Sequence, residues 1–257
     1  MNIDQYNSAP VFSRRDGPLT PSEIQWVYSG VGAGVTDEMG GPRVEKVRKY
    51  FSSQKKKLKI LDIGCCNGAI LKQFRDQHEL HGVDISEFLV QKAVEVGMNA
   101  KVHDTMRGPL PYEDGSFDAV FCGETIEHQV DTDWLILEMN RVLRVGGELV
   151  LTFPNIRTPL GIAMMLFFDL PPMFAARYRS CHFRDFTLRT MKMVLIRHGF
   201  RHKQSIGSSF YLPKIGEFWS GLATILPSWS MTVITVATKV ENSKYTPADY
   251  KTDIRLY

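Results

Sequence analysis

The chain is poor in cysteine, and the few it has form no pattern. Four occur in 257 residues, at Cys65, Cys66, Cys122 and Cys181, with no Cys-x-x-Cys. That argues against a disulfide framework or a thiolate zinc site, and it fits a reducing cytoplasm. Long apolar runs are missing too. The longest, residues 160–168, is too short to span a bilayer. The first residues are polar, without the apolar core of a signal peptide. Charge of one sign is scarce: the net charge of +3 makes no case for a nucleic-acid partner. No internal repeat or low-complexity tract is visible. What remains is a length that fits one large α/β domain with embellishments, or one and a half domains, and a hydrophobic content of 44% that supports a real core. Oligomeric state stays open.

The chain is organised around Leu61-Asp62-Ile63-Gly64-Cys65-Cys66-Asn67-Gly68. An apolar start, Leu58-Lys59-Ile60, leads in, and a helical pattern, residues 69–74, leads out. Strand, glycine turn and helix make the opening βα unit of a nucleotide-binding sheet. Asp84 ends the next strand pattern, 22 residues after Asp62. That is the place for a carboxylate that takes ribose hydroxyls.

Asp62-x-Gly64-x-Cys66-x-Gly68 resembles the first motif of class I S-adenosylmethionine-dependent methyltransferases, usually Asp/Glu-x-Gly-x-Gly-x-Gly, with Cys66 in place of the middle glycine. The rival is a nicotinamide-binding Rossmann domain. It expects Gly-x-Gly-x-x-Gly, a spacing that this loop lacks. Further agreement comes from Leu110-Pro111-Tyr112 and Ser116-Phe117-Asp118 before a fourth strand, and from Arg141-Val142-Leu143-Arg144 with Gly146-Gly147 before Pro154-Asn155. The resemblance is continuous over about residues 58–155. It implies a Rossmann-like α/β fold with a seven-stranded sheet of order 3-2-1-4-5-7-6, helices on both faces and a helical cap insertion. It places S-adenosylmethionine against Asp62, Gly64, Cys65, Gly68, Asp84, Ile85, Asp104, Thr105 and Glu124.

The remaining chain divides around that core. Residues 1–51 read as an arm and helices covering the cofactor. One helix starts at Thr20-Pro21 and a second near Pro42, with Val44, Val47 and Phe51 on one face. Residues 52–155 are the cofactor-binding core, and 156–186 an apolar, aromatic substrate cap. Residues 187–240 complete the sheet, with an apolar excursion at 211–230. Residues 241–257 are a polar tail. Burial against the cap is the expectation for the excursion; the alternative is contact with a membrane or a lipid-like substrate. Ser86, Asp131 and Thr187 read as helix caps, and Gly97, Gly146-Gly147 and Gly199 as helix ends.

The chemistry concentrates in Glu124-Thr125-Ile126-Glu127-His128 after the fourth strand. On a helical turn Glu124 meets Glu127 and His128. Two carboxylates so close repel, and a divalent cation relieves the repulsion. Oxygen and imidazole donors suit Mg²⁺, Mn²⁺, Fe²⁺ or Co²⁺. Glu-x-x-Glu-His resembles the motif of ubiquinone-biosynthesis O-methyltransferases and of small-RNA 2′-O-methyltransferases. The latter resemblance adds His182 as a fourth ligand beside Glu124, Glu127 and His128. No RNA-binding extension is evident. Without a metal, His128 is the candidate general base. The expected activity is methyl transfer to an oxygen of a small or lipid-like molecule. The alternatives are a metal-free N- or C-methyltransferase and a catalytically silent cofactor-binding module.

Overall fold

Pro42 opens the first helix that the computed structural model describes, α1 (Pro42–Ser52). Proline suits this position because its missing N–H would find no helical partner there. Val44, Val47 and Phe51 form the buried stripe of α1, as the spacing indicates. The structure describes residues 40–170, 182–212 and 216–244. They all lie in the unit that runs from Val35 onward. The expected helix from Thr20, the 241–257 tail beyond Lys244 and the middle of the cap fall outside the described residues.

The sheet is built from β1 (Lys59–Ile63), β2 (Glu79–Asp84), β3 (Asn99–Val102), β4 (Phe117–Gly123), β5 (Leu143–Pro154), β6 (Phe200–Gly207) and β9 (Thr232–Lys239); a separate hairpin holds β7 (Phe210–Leu212) and β8 (Gly216–Phe218). The order β3-β2-β1-β4-β5-β9-β6 is the expected pattern, with β9 as the seventh sheet strand. β9 runs antiparallel to both β5 and β6, and the other pairings are parallel. β1 is apolar on both faces because both are covered. One face packs on α3 (Thr132–Val142) and α5 (Leu188–Arg197) through Leu135, Met139, Met191 and Leu195. The other packs on α1 through Val47 and Phe51, with Phe74, Phe121 and Ile234.

The caps are where the sequence puts them. Ser86 accepts from the Leu89 N–H at the start of α2 (Glu87–Glu95), Asp131 from Trp134, and Thr187 from Thr190 in a capping box. Gly97 and Gly199 follow their helices with φ of 94° and 77°. Gly146-Gly147 does not end α3, which stops at Val142. Lys239 Nζ donates to the Asn140 and Leu143 carbonyls at 2.7 and 2.8 Å and caps α3 itself. The glycines instead occupy an irregularity at the entry to β5, where Phe117 faces Leu143 but Ala119 faces Glu148.

Two other expectations change. The stretch after the glycine loop is not an α-helix but a run of turns with one 3₁₀ turn, Lys72–Phe74. Its Gly68 carbonyl still takes the N–H groups three and four residues on, and its Leu71 carbonyl the one three residues on. The apolar excursion is not buried: Trp219, Ile225 and Leu226 face outward. In the cap, α4 (Pro159–Phe168) is capped by Thr158, and Leu166, Phe167 and Phe168 are exposed.

Candidate active site

The glycine loop closes over the end of β2. The Gly64 and Cys65 N–H groups both donate to the Val83 carbonyl, at 2.9 and 3.0 Å. Gly64, Cys66 and Gly68 take φ of 72°, 51° and 73°. Cys66 thus keeps the left-handed backbone of the glycine it replaces, at a cost of roughly 1–2 kcal/mol. Its N–H donates to Asp84 Oδ2 at 2.9 Å, and the Ser86 N–H donates to Oδ1 at 2.9 Å. Asp84 therefore locks the loop and steers the chain into α2. An ionised carboxylate accepts about four hydrogen bonds, so acceptor capacity remains for ribose hydroxyls. Ile85 sits half-buried beside it. Cys65 is buried against Gly82, where a Cβ would come 2.7 Å from its sulfur.

After β3, Asp104 accepts from the Met106 N–H and pairs with Arg107, both at 3.0 Å. Thr105 Oγ1 donates to Gln129 Oε1 at 3.1 Å, tying this loop to the turn that follows β4. The nine residues expected to hold the cofactor thus lie at the carboxyl ends of β1 to β4 and on the loops that leave them.

Glu124 to His128 do not form the α-helical turn expected of them. Glu124 takes φ of 52°, and a 3₁₀ turn, Ile126–His128, follows. The kink turns Glu124 toward β5, where Thr152 Oγ1 donates to its Oε1 at 3.0 Å. Thr125 joins two strand ends, with its hydroxyl 3.2 Å from both the Ile63 and Gly123 carbonyls.

Glu127, His128 and His182 converge, and their potential ligand atoms all lie within 4.8 Å of one another. Glu124 is outside this group. Backbone bonds bring His182 in from 54 residues away: the Phe183 N–H donates to the Glu127 carbonyl at 2.8 Å, and Phe186 bridges to Asn155. The His128 and His182 rings meet edge to face at 4.7 Å. Glu127 Oε2 and His182 Nδ1 are buried with no hydrogen-bond partner. Burial, then the Glu124 charge, pushes the Glu127 carboxyl up to about 9. Burial and His128 lower His182 to about 4, which keeps its ring neutral at pH 7. Burial also raises Glu124. A neutral imidazole, and a buried carboxyl oxygen without a hydrogen-bond partner, are the donor set a divalent cation uses.

Arg43 was not legible as a site residue. It projects from α1, and its charge lowers the pKa values of Asp62, Glu124 and Glu127 against the effect of burial. One signal existed. A cation in the first turn of a helix opposes the helix dipole, so it needs a partner elsewhere.

Asp62 is 3% exposed, and burial with the nearby Asp84 raises its pKa to about 8 against the pull of Arg43. An unfolded aspartate titrates near 3.9. Between about pH 4 and 8 the folded state keeps a proton that the unfolded chain releases. This stabilisation is full below about pH 4 and is lost as pH rises through about 8. Thermal melts of the cofactor-free chain should therefore fall over that window, and Asp62→Asn should flatten the fall. Parallel curves for both proteins would contradict the assignment.

Sheet order, glycine loop and the aspartate that ends β2 define the class I S-adenosylmethionine-dependent methyltransferase fold. Residues 61–151 match the family model described as a methyltransferase domain. Among curated proteins, 27-O-demethylrifamycin SV methyltransferase of Amycolatopsis mediterranei is 36% identical over 113 residues, 40% of this chain and 42% of that protein. The chain thus spans less than half the length of this relative. Ubiquinone biosynthesis O-methyltransferase of Xanthomonas oryzae pv. oryzae is 26% identical over 164 residues, 60% of this chain and 67% of that one. A crystal structure of an S-adenosylmethionine-dependent methyltransferase from Thermotoga maritima, a possible histamine N-methyltransferase, superposes with a TM-score of 0.62 at 16% identity. It covers 84% of this chain and 98% of its own, and the likeness concerns the fold alone.

Proposed function

We propose that the chain transfers the methyl group of S-adenosylmethionine to an oxygen of a small or lipid-like molecule, assisted by a divalent cation. One observation carries the cation and the oxygen acceptor: the buried, unpartnered Glu127 Oε2 and His182 Nδ1 beside His128, next to the cofactor loop. The names of the two curated relatives, one an O-methyltransferase and the other a methyltransferase of a 27-O-demethyl compound, support the oxygen acceptor.

S-adenosylmethionine brings a methyl group already activated by the sulfonium charge, so the protein's work is alignment and exclusion of water. Asp84 takes the ribose hydroxyls, Asp104 meets the adenine, and Arg43 suits the carboxylate of the cofactor. Glu127, His128 and His182 hold the cation, with Glu124 behind them. Bound there, a divalent cation supplies Lewis-acid polarisation of an acceptor hydroxyl. His128 stands where it can take the acceptor proton when no cation is present.

Titration calorimetry with S-adenosylhomocysteine is expected to show one site, and turnover of vicinal-diol or catechol acceptors to stop on chelation. No binding of S-adenosylhomocysteine would sink the reading. Turnover that survives the chelator would remove the cation and leave His128 as base, with nitrogen and carbon acceptors back in range.

A further inference from the structure

The lobe between β6 and β9, described over residues 208–212 and 216–231, carries many of its polar bonds inside and large apolar side chains outside, with Glu217 the exposed carboxylate among them. Lys46 of α1 donates to the carbonyls of Gly207, Ser208 and Ser220, each at 2.7 Å. Asn155 Nδ2 donates to the carbonyls of Ser228 and Ser230, at 3.1 and 2.9 Å. Gly207 packs so closely under α6 (Ser220–Ile225) that a Cβ would overlap the Ala223 carbonyl. The outer side shows Trp219 at 68% exposure and Ile225 at 73%, with Tyr211, Leu212, Leu222 and Leu226 also exposed. Seven of the 21 exposed large hydrophobic side chains among the described residues fall in this lobe. A surface held this firmly is built to be presented, because each outward apolar side chain costs solvation that burial would recover.

We propose that this face docks on a phospholipid bilayer. Its chemistry separates a bilayer from a protein partner. Protein interfaces carry about one hydrogen bond per 100–200 Å². These six side chains offer only the Trp219 indole N–H and the Tyr211 hydroxyl. Hydrocarbon asks for none, and tryptophan and tyrosine are the residues that settle at headgroup level. Arg157, exposed at the base of the lobe, lies 4.5 Å over the Trp229 ring and faces outward as a cation for lipid phosphate. The lobe also leaves the sheet at the end where the site lies: Pro154 pairs with Thr232 and Gly207 with Val233. Docking therefore turns the cofactor end toward the membrane and selects acceptors that partition into it. The acceptor clause rests on the methyl-transfer reading; the docking does not.

The test is flotation of the full chain with phosphatidylcholine vesicles containing phosphatidylglycerol, for wild type and for Trp219→Ser/Ile225→Ser. Wild type is expected to float reversibly, with a blue shift of tryptophan fluorescence, and the variant to lose at least about tenfold in partitioning. Both positions are exposed, so thermal melts and S-adenosylhomocysteine affinity should stay unchanged. Leu222→Ser serves as a second, milder variant. No flotation of wild type, or equal flotation of the variants, overturns the proposal. So does self-association, seen by sedimentation, that the same substitutions abolish without any vesicle binding. Loss of S-adenosylhomocysteine binding in wild type would count against the methyl-transfer reading and leave docking to be judged by flotation.

Discussion

Mn²⁺ or Co²⁺ added to the purified chain should bind one site, and His182→Ala should weaken that site by roughly 100-fold or more. Glu127 Oε2 and His182 Nδ1 are buried without partners, so the unliganded chain bears the desolvation of both. A cation relieves both at once. By mass action, metal at 100 times its Kd should stabilise wild type by about 2.7 kcal/mol. The same addition should leave Glu127→Gln and His182→Ala almost unmoved. S-adenosylhomocysteine affinity should survive in both variants, because neither Glu127 nor His182 is among the residues proposed to hold the cofactor. Equal metal-induced shifts in all three proteins would show that the cation binds elsewhere.

Gly64→Ala should cost both stability and cofactor affinity. Gly64 has φ of 72°, and an added Cβ would overlap Thr125 Oγ1 and lie 3.0 Å from its Cγ2. The left-handed backbone costs an L-residue roughly 1–2 kcal/mol, and overpacking adds roughly 1–3 kcal/mol. For a chain of this size the sum corresponds to a fall in Tm of roughly 4–20 °C. Affinity for S-adenosylhomocysteine should drop by at least about tenfold, since relief of that clash pulls the backbone at 64 away from the Val83 carbonyl that closes the loop. Adding Thr125→Ala should restore the overpacking part and leave the backbone part. Full recovery in the double variant would show that φ is not strained; no recovery would show that Thr125 is not the obstacle.

Much of the fold was legible because its signals are local. A cap needs one side chain three residues from an N–H, so Ser86, Asp131 and Thr187 declare their helices in sequence. The glycine loop with Asp84 is equally local, since a sharp turn and a carboxylate at a strand end are properties of short segments. The turn-rich stretch after the loop was misread for the same reason. Its pattern was helical, but packing of Ile70, Leu71 and Phe74 against α1 and the sheet is met by turns.

The site was legible in composition but not in arrangement. Glu124, Glu127, His128 and His182 announced a cluster, yet spacing put Glu124 on the same helical turn as its neighbours. The fold instead kinks the backbone at Glu124 and turns it to Thr152 on β5. Arg43 and the outward face of the 208–231 lobe belong to the tertiary structure as well. Periodicity and capping are energies of a few consecutive residues, so the amino-acid order alone specified the seven strands of the main sheet, the caps and the glycine loop, but not the hairpin of β7 and β8. Which charge neutralises which, and whether an apolar segment turns inward or outward, depends on contacts between residues far apart in the chain. His182 reaches Glu127 and His128, and Lys46 reaches Ser220, only once the sheet has placed their segments side by side.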